Sequence, residues 1–361
     1  MNKKNMMVRS VKIRSPINKG KLNNIKKFLV TYNGCVNYFI KCLWSEKTFS
    51  GRFLDKNYME NAKKHFPELT MRLIQCAGKE ALQNIKSQRK KSKRQQRIPR
   101  FKKLIANLDN RFWEISGENT SFEWLHFQSG YSFNIPFKRN IMWHRWEEKG
   151  FRLSKSIRLK TEKNVLYIEF FFEKNKPELR KKGKVVGLDS GYVNMATLSD
   201  GQQVGVNLNQ FIRGFSKREK NTHIQTKQRA FMELKKIDFT NTRLMVLEKL
   251  RNVKKGKRGM FPRKHNRRLS HWLYAKTIKW LEQHCEEQGI GIKYVSPYKT
   301  SQFCRFCGKW DKRNRKGEEF FCVHCGHTEH ADINASRNLE LLGLAGVYSL
   351  RSLPSNFIGG V

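Results

Sequence analysis

The sequence predicts an α+β chain of more than one domain. A β-barrel with helices inserted near its start comes first, then an α/β domain carrying a metal-binding insertion. Three observations predict it. Apolar residues recur at helical spacing in two early segments. Alternating, aromatic-rich strands fill the middle. The second half alternates short apolar strands with helices and is interrupted by two C-x-x-C pairs.

The elements follow in order. Val8–Arg14 alternates apolar and basic residues as a short strand. Leu22, Ile25, Leu29, Tyr32, Val36, Phe39 and Leu43 then recur at spacings of three and four, one face of a long helix. A second helix carries Met71, Ile74, Ala77, Ala81 or Leu82, and Ile85. It runs into KSQRKKSKRQQRIPRFKK, Lys86–Lys103. Arg111–Trp146 holds ten aromatics, with Tyr131, Phe133, Ile135 and Phe137 alternating as a strand with one buried face. Most of these rings are expected in a barrel core and a minority on the surface, where rings stack on bases. A hairpin follows: Ser156–Lys160, a turn at Glu162–Asn164, then Val165–Glu173. KNKPELRKKGK, Lys174–Lys184, reads as a polar hinge. Beyond it Lys184–Leu188 is an apolar strand ending in Asp189. Met195–Leu198 and Gln203–Val206 form a hairpin turning at Asp200-Gly201. Leu244–Leu247 is a buried strand ending in Glu248. Leu269, Leu273, Trp280, Leu281 and Cys285 line a helix, and Gly291–Val295 is another strand.

Composition bounds the partner. The chain has 361 residues, 38% of them apolar and 12% aromatic, enough for a folded core and too much for a disordered basic tail. Lys and Arg number 74 against 30 Asp and Glu, a formal net charge of +44. A field of that sign attracts polyanions, so nucleic acid is the expected partner and an anionic membrane surface the runner-up. No stretch approaches the roughly 18 apolar residues of a membrane span, and the basic N-terminus lacks an apolar signal core. A cytoplasmic, nucleoid-associated protein is expected. The densest charge lies in Lys86, Arg89, Lys90, Lys91, Lys93, Arg94, Arg97, Arg100, Lys102 and Lys103, ten basic residues in eighteen with no acid among them. Such a block repels itself unless phosphates neutralise it, which favours a nucleic-acid contact over a solvated helix end.

Of eight cysteines, Cys35, Cys42, Cys76 and Cys285 fall inside apolar-periodic stretches and read as core thiols. Cys304 and Cys307 are separated from Cys322 and Cys325 by 14 residues, and each pair is followed by a glycine, Gly308 or Gly326. In a reducing compartment that spacing reads as one structural Zn²⁺ held by four thiolates.

Three acids share a pattern. Asp189 ends one apolar strand, Glu248 ends another, and Asp332 begins a helix just past the second cysteine pair. Singly, each has an ordinary reading as a strand-end turn, a surface glutamate or a helix N-cap. Jointly, the order strand-Asp, hairpin, strand-Glu, helix-Asp is that of the RNase H fold, in which strand ends gather on one edge. Converging carboxylates need hard cations, and two Mg²⁺ about 3.5–4 Å apart support phosphodiester hydrolysis.

The stretches VVGLDSGYVNMAT, LMVLEKL, YVSPYKTSQFCRFCG with FCVHCG, and HADINASRNL resemble the three RuvC-like motifs and the zinc element of the TnpB family. These are transposon-encoded RNA-guided DNA endonucleases, related to compact type V CRISPR effectors. The resemblance is sharp from about residue 184 to 340 and looser before it, through the opening strand, the helical insertion and IPRFKK. It implies a wedge β-barrel over 1–20 and 106–180 and a helical recognition domain over 21–105. It also implies a RuvC-like nuclease domain over 181–303 and 327–361, with a zinc ribbon inserted over 304–326. It implies a guide RNA and double-stranded target DNA as partners, Asp189, Glu248 and Asp332 as catalytic Mg²⁺ ligands, and cleavage beside a short flanking motif. The chain departs from the family's pattern in the short stretch between Asp189 and Glu248, whose basic helical segment is reduced to roughly Phe211–Lys236. It departs also in Lys249 after the glutamate and in the lack of a long basic tail after Leu341. A guided repressor that does not cut, and an unguided transposase or resolvase, are the competing readings. The three intact acids weigh against the first, and the basic block and N-terminal barrel weigh against the second.

Overall fold

The computed structural model describes residues 5–46, 56–117, 122–191, 194–206, 210, 222–250 and 274–358. The chain divides into two compact units, Met1–Asn175 and Lys176–Val361.

In the first unit, β1 (Met6–Arg14), β7 (Val165–Asn175), β6 (Arg152–Glu162) and β2 (Ile105–Asp109) form an antiparallel sheet in the order β1-β7-β6-β2. β3 (Trp113–Ser116), β4 (Glu123–Gln128) and β5 (Ser132–Phe137) form a second. The β6–β7 hairpin turns through Lys163 and Asn164, both at positive φ, the backbone that a tight two-residue hairpin demands. α1 (Lys19–Trp44) starts where the Asn18 side chain accepts a hydrogen bond from the Lys21 N–H, and all seven apolar positions read from its sequence are buried. α3 (Met71–Arg89) is capped by Thr70. Its buried face is Leu73, Ile74, Ala77, Ala81 and Ile85, while Met71, expected on that face, is exposed in the first turn.

Two helices, α2 (Lys56–His65) and α4 (Ile141–Glu148), were not legible as periodic segments because each buries a single residue, Ala62 or Trp143. Trp143 sits among Phe137, Phe170 and Phe172, with ring centroids 4.9–6.1 Å away. The aromatic-rich segment does fill this core: Phe112, Phe127, Phe137 and Trp143 are buried, and of its ten rings Phe122 is the exposed one. The helices and both sheets share one apolar cluster, so this unit has a single core.

The second unit is built on a five-stranded sheet. Its strands are β8 (Lys184–Asp189), β9 (Ala196–Leu198), β10 (Gln203–Val204), β11 (Thr242–Glu248) and β12 (Gly291–Val295), in the order β10-β9-β8-β11-β12. β8, β11 and β12 are parallel, and β9 and β10 run antiparallel. This order and sense fit an RNase H-like, RuvC-type sheet. α5 (Thr222–Leu234) and α6 (Tyr274–Gln288) contribute to the apolar cluster on one face. α7 (Ala331–Leu344) packs with Val185, Val246 and Val295 in another. Leu269 and Leu273, expected on the α6 helix, and residues 211–221 of the expected basic segment lie outside the described residues. Three short strands, β13 (Arg315–Lys316), β14 (Glu319–Phe321) and β15 (Thr328–His330), form a small sheet around the second cysteine pair.

Two glycines let α7 lie directly on the sheet. A Cβ at Gly187 in β8 would stand 2.0 Å from the Ser336 carbonyl oxygen and 2.5 Å from the Glu340 nitrogen; one at Gly343 in α7 would stand 2.4 Å from Val246 Cγ2. Gly187→Ala should therefore destabilise the full chain by about 3 kcal/mol, the upper end of the cost of overpacking, since backbone cannot step aside as a side chain would. Urea denaturation checks this, and an unshifted midpoint would mean that α7 does not sit at this distance.

Candidate functional site

The parallel register brings the first two acids side by side. Leu188 pairs with Leu247, so Asp189 and Glu248 close adjacent strands at the same sheet edge. Asp332 arrives from α7, in the first helical turn, where the helix dipole favours an acid. It is not the N-cap. That place belongs to His330, whose ring Nδ1 accepts from the Asp332 N–H at 3.2 Å. The Asp332 carboxylate instead accepts from Arg315, at 2.8 Å. Glu248 accepts at Oε1 from the Thr300 hydroxyl, at 2.6 Å.

The electrostatics mark a crowded site. The Asp189 carboxyl is pushed up to about 8, by burial first and then by the charges of Glu248 and Asp332; Arg315 and the Ser190 N–H oppose the shift. Burial also raises Glu248, against the Thr300 hydrogen bond and Arg315. Asp189 thus lies near enough to both other acids to feel their charge. Asp189 and Glu248 keep partial solvent exposure. Arg315 and Thr300 escaped the sequence reading. Arg315 is one cation among several in KRNRK, and nothing in its spacing distinguishes it.

Cys304, Cys307, Cys322 and Cys325 bring their sulfurs within 4.8 Å of one another. Each pair sits on the same turn: the Gly308 N–H donates to the Cys304 carbonyl and the Gly326 N–H to that of Cys322, with both glycines at positive φ. Four converging sulfurs suit a tetrahedral Zn²⁺ and leave no open coordination position. Of the other cysteines, Cys35 and Cys285 are buried and Cys42 and Cys76 half-buried.

The basic block is less uniform than its sequence. α3 ends at Arg89, and the guanidinium of Arg89 turns back and donates to the Trp44 carbonyl at 2.8 Å and to the Glu46 carbonyl. It also lies over the Trp44 indole. The other nine cations, from Lys86 to Lys103, are exposed, and no ion pair to them occurs among the described residues.

A mixed α/β sheet with two acids at one edge, followed by a four-cysteine cluster and a helix bearing a third acid, fits the RuvC-like class of fold. Comparison with known proteins narrows this. Residues 274–339, from α6 through the ribbon into α7, match the family described as Cas12f1-like, TNB domain. The CRISPR-associated endodeoxyribonuclease Cas12f1 of Sulfoacidibacillus thermotolerans is 38% identical over 77 residues, 21% of this chain and 18% of that protein. A TnpB-like protein of Aquifex aeolicus is 32% identical over 105 residues, 28% of this chain and 34% of that protein. The chain thus matches about a third or less of these curated relatives' length. A solved complex of Cas12f1 with sgRNA and target DNA aligns with 93% of this chain and 99% of that one, at 13% identity and a TM-score of 0.48. The sequence matches bear out the resemblance to the TnpB family and the compact type V effectors. Among the described residues, no helix is long and apolar enough to cross a membrane.

Two predictions follow from the geometry. Protein purified under reducing conditions should hold one zinc per chain by elemental analysis, and Cys304→Ser should lose it and destabilise the start of α7. A zinc-free wild type would refute the site. The second concerns Asp189. Between the unfolded value near 4 and about 8, the native protein keeps a proton that the unfolded chain releases, so this group makes stability fall as pH rises across that window. In buffer without divalent cations other than the bound zinc, Asp189→Asn should raise the thermal midpoint at pH 8 by several degrees and have little effect at pH 4. Equal midpoints at pH 8 would show that the cluster carries no such strain.

Proposed function

We propose that this chain is an RNA-guided, metal-dependent DNA endonuclease that cuts target DNA beside a short flanking motif. The observation that carries the reading is the convergence of Asp189, Glu248 and Asp332 at one sheet edge, in a chain of net charge +44. The names of the relatives, an endodeoxyribonuclease and TnpB-like proteins, support it. Asp189, Glu248 and Asp332 would hold two Mg²⁺. When bound, the ions supply an activated water and stabilise the leaving oxygen of the scissile phosphodiester. The protein's own part is positional. Asp189, at the end of the central strand β8, is the ligand best placed to be shared. Arg315 holds Asp332 and offsets the charge of all three, which keeps the cluster folded before cations arrive. The partial opening at Asp189 and Glu248 is the side from which a phosphate would approach.

In this reading residues 1–20 and 106–180 form a wedge barrel, 21–105 a recognition domain, 181–303 and 327–361 the nuclease domain, and 304–326 the ribbon. The exposed cations of Lys86–Lys103 contact guide RNA through its backbone, while base pairing supplies sequence. Arg89 is excluded from that set by its internal bonds. Neutralising Arg94, Arg97, Arg100 and Lys102 together should weaken RNA binding and flatten its log–log salt dependence by about 0.7–0.9 per lost contact. Unchanged affinity and slope would make the block a solvated face.

The chemistry is tested by guided cleavage of a plasmid library, with guides taken from RNA that co-purifies with the protein. Asp189→Ala, Glu248→Ala and Asp332→Ala should each abolish cutting while leaving guided binding largely intact. Ca²⁺ should support binding with little cleavage, because its looser coordination positions the attacking water poorly. Full cutting by one variant removes that residue from the site. Guided binding without any cutting by the wild type would replace this reading with that of a guided repressor.

A further inference from the structure

We infer that Thr300 is a positioning residue for Glu248, held in place by two asparagines of α7; the inference rests on the metal-binding reading of the acid cluster. Thr300 lies five residues beyond Val295, the β12 partner of Glu248, and its side chain is almost wholly buried, at 2% exposure. Its hydroxyl donates to Glu248 Oε1 at 2.6 Å; its alternative acceptor, the Pro297 carbonyl, is 3.4 Å away. Glu248 Oε2 has no hydrogen-bond partner among the described residues. One oxygen is therefore pinned and the other remains as a ligand. A neutral donor suits this place. It fixes the carboxylate without adding a cation that would compete with a metal ion.

The segment that presents Thr300 is itself clamped. Asn338 Nδ2 donates to the Thr300 carbonyl at 2.8 Å and to the Phe303 carbonyl at 2.9 Å, and Asn334 Nδ2 donates to the Phe303 carbonyl at 3.1 Å. Both asparagines are fully buried. Their amide orientation is fixed by these carbonyls, since the flipped amide would set oxygen against oxygen. Lys299, just before Thr300, is a non-glycine residue at φ 60°, a backbone state that persists where the surroundings impose it. The next residue after Phe303 is Cys304, so the clamp also joins the zinc turn to the acid cluster. The helix that carries Asp332 thus also sets the donor that orients Glu248. Outer partners of this kind hold metal ligands in their binding geometry, and their loss weakens metal affinity by about 10–100-fold.

The test is Mn²⁺ binding to the zinc-loaded full chain without nucleic acid, followed by electron paramagnetic resonance. Thr300→Val keeps the shape and removes the donor; it should raise the apparent Mn²⁺ dissociation constant by about 10-fold or more while retaining one zinc per chain. Thr300→Ser keeps the donor and should stay near wild type. If the valine variant loses zinc, Thr300→Ala poses the same question with less bulk. Wild-type affinity in the donor-less variant overturns the inference, as does equal weakening in Thr300→Ser, which would assign the effect to the lost methyl group. Asp189→Ala separates this from the larger reading. If it weakens Mn²⁺ binding and Thr300→Val does not, only the role of Thr300 falls. If Asp189→Ala leaves binding unchanged, the acid cluster is not a cation site and both readings fall together.

Discussion

The second unit depends on backbone lying against backbone where α7 crosses β8. Gly187 leaves no room for even a methyl group between the strand and the carbonyl of Ser336. That approach carries Asp332 to Asp189, whose strand ends two residues later. Gly343, at the other end of the helix, seats it on Val246 and Val185. Small side chains along the buried face, Ala331, Ala335 and Ser336, keep the contact close. A bulkier face would hold the helix about one side-chain layer further out and leave Asp332 in solvent, away from the strand-end acids.

The four-cysteine segment then acts on the same place in two ways. Its turns fix the chain just before α7, so the helix begins at a defined point. Its first strand delivers Arg315 to Asp332. The guanidinium matters because three neighbouring carboxylates oppose one another's charge. The protein answers partly with Arg315 and partly by keeping a proton on Asp189. Divalent cations would replace that proton. The surrounding field has the opposite sign, since the chain carries a formal +44.

Much of this was legible in the sequence, for identifiable reasons. The α1 face was readable because a long helix repeats its pattern at seven apolar positions from Leu22 to Leu43, and the hairpin at Lys163-Asn164 because turns have their own chemistry. The cysteines were readable because a C-x-x-C pair puts two sulfurs on one turn, and the four sulfurs do converge within 4.8 Å. The acids were readable as strand ends, and the parallel register does put Asp189 beside Glu248. What was not legible comes from tertiary contact. Arg315 and Thr300 act on carboxylates 17 and 52 residues away in sequence, and no local pattern encodes those partners. Arg89 looked like its neighbours in the basic block, yet its guanidinium is used inside its own unit. Short helices such as α2 and α4, each burying one side chain, leave too little periodicity to detect. The ordinary reading of Asp332 as an N-cap failed because His330 supplies the cap two residues earlier.

The central claim is that the three carboxylates form one divalent-cation site. Anomalous diffraction from crystals soaked in Mn²⁺ tests it directly, since manganese scatters where magnesium cannot be distinguished from water. Two manganese peaks are expected among Asp189, Glu248 and Asp332, both contacting Asp189, with the zinc peak separate at the four cysteines. A well-ordered site with no manganese there, at concentrations that fill other surface sites, would contradict it.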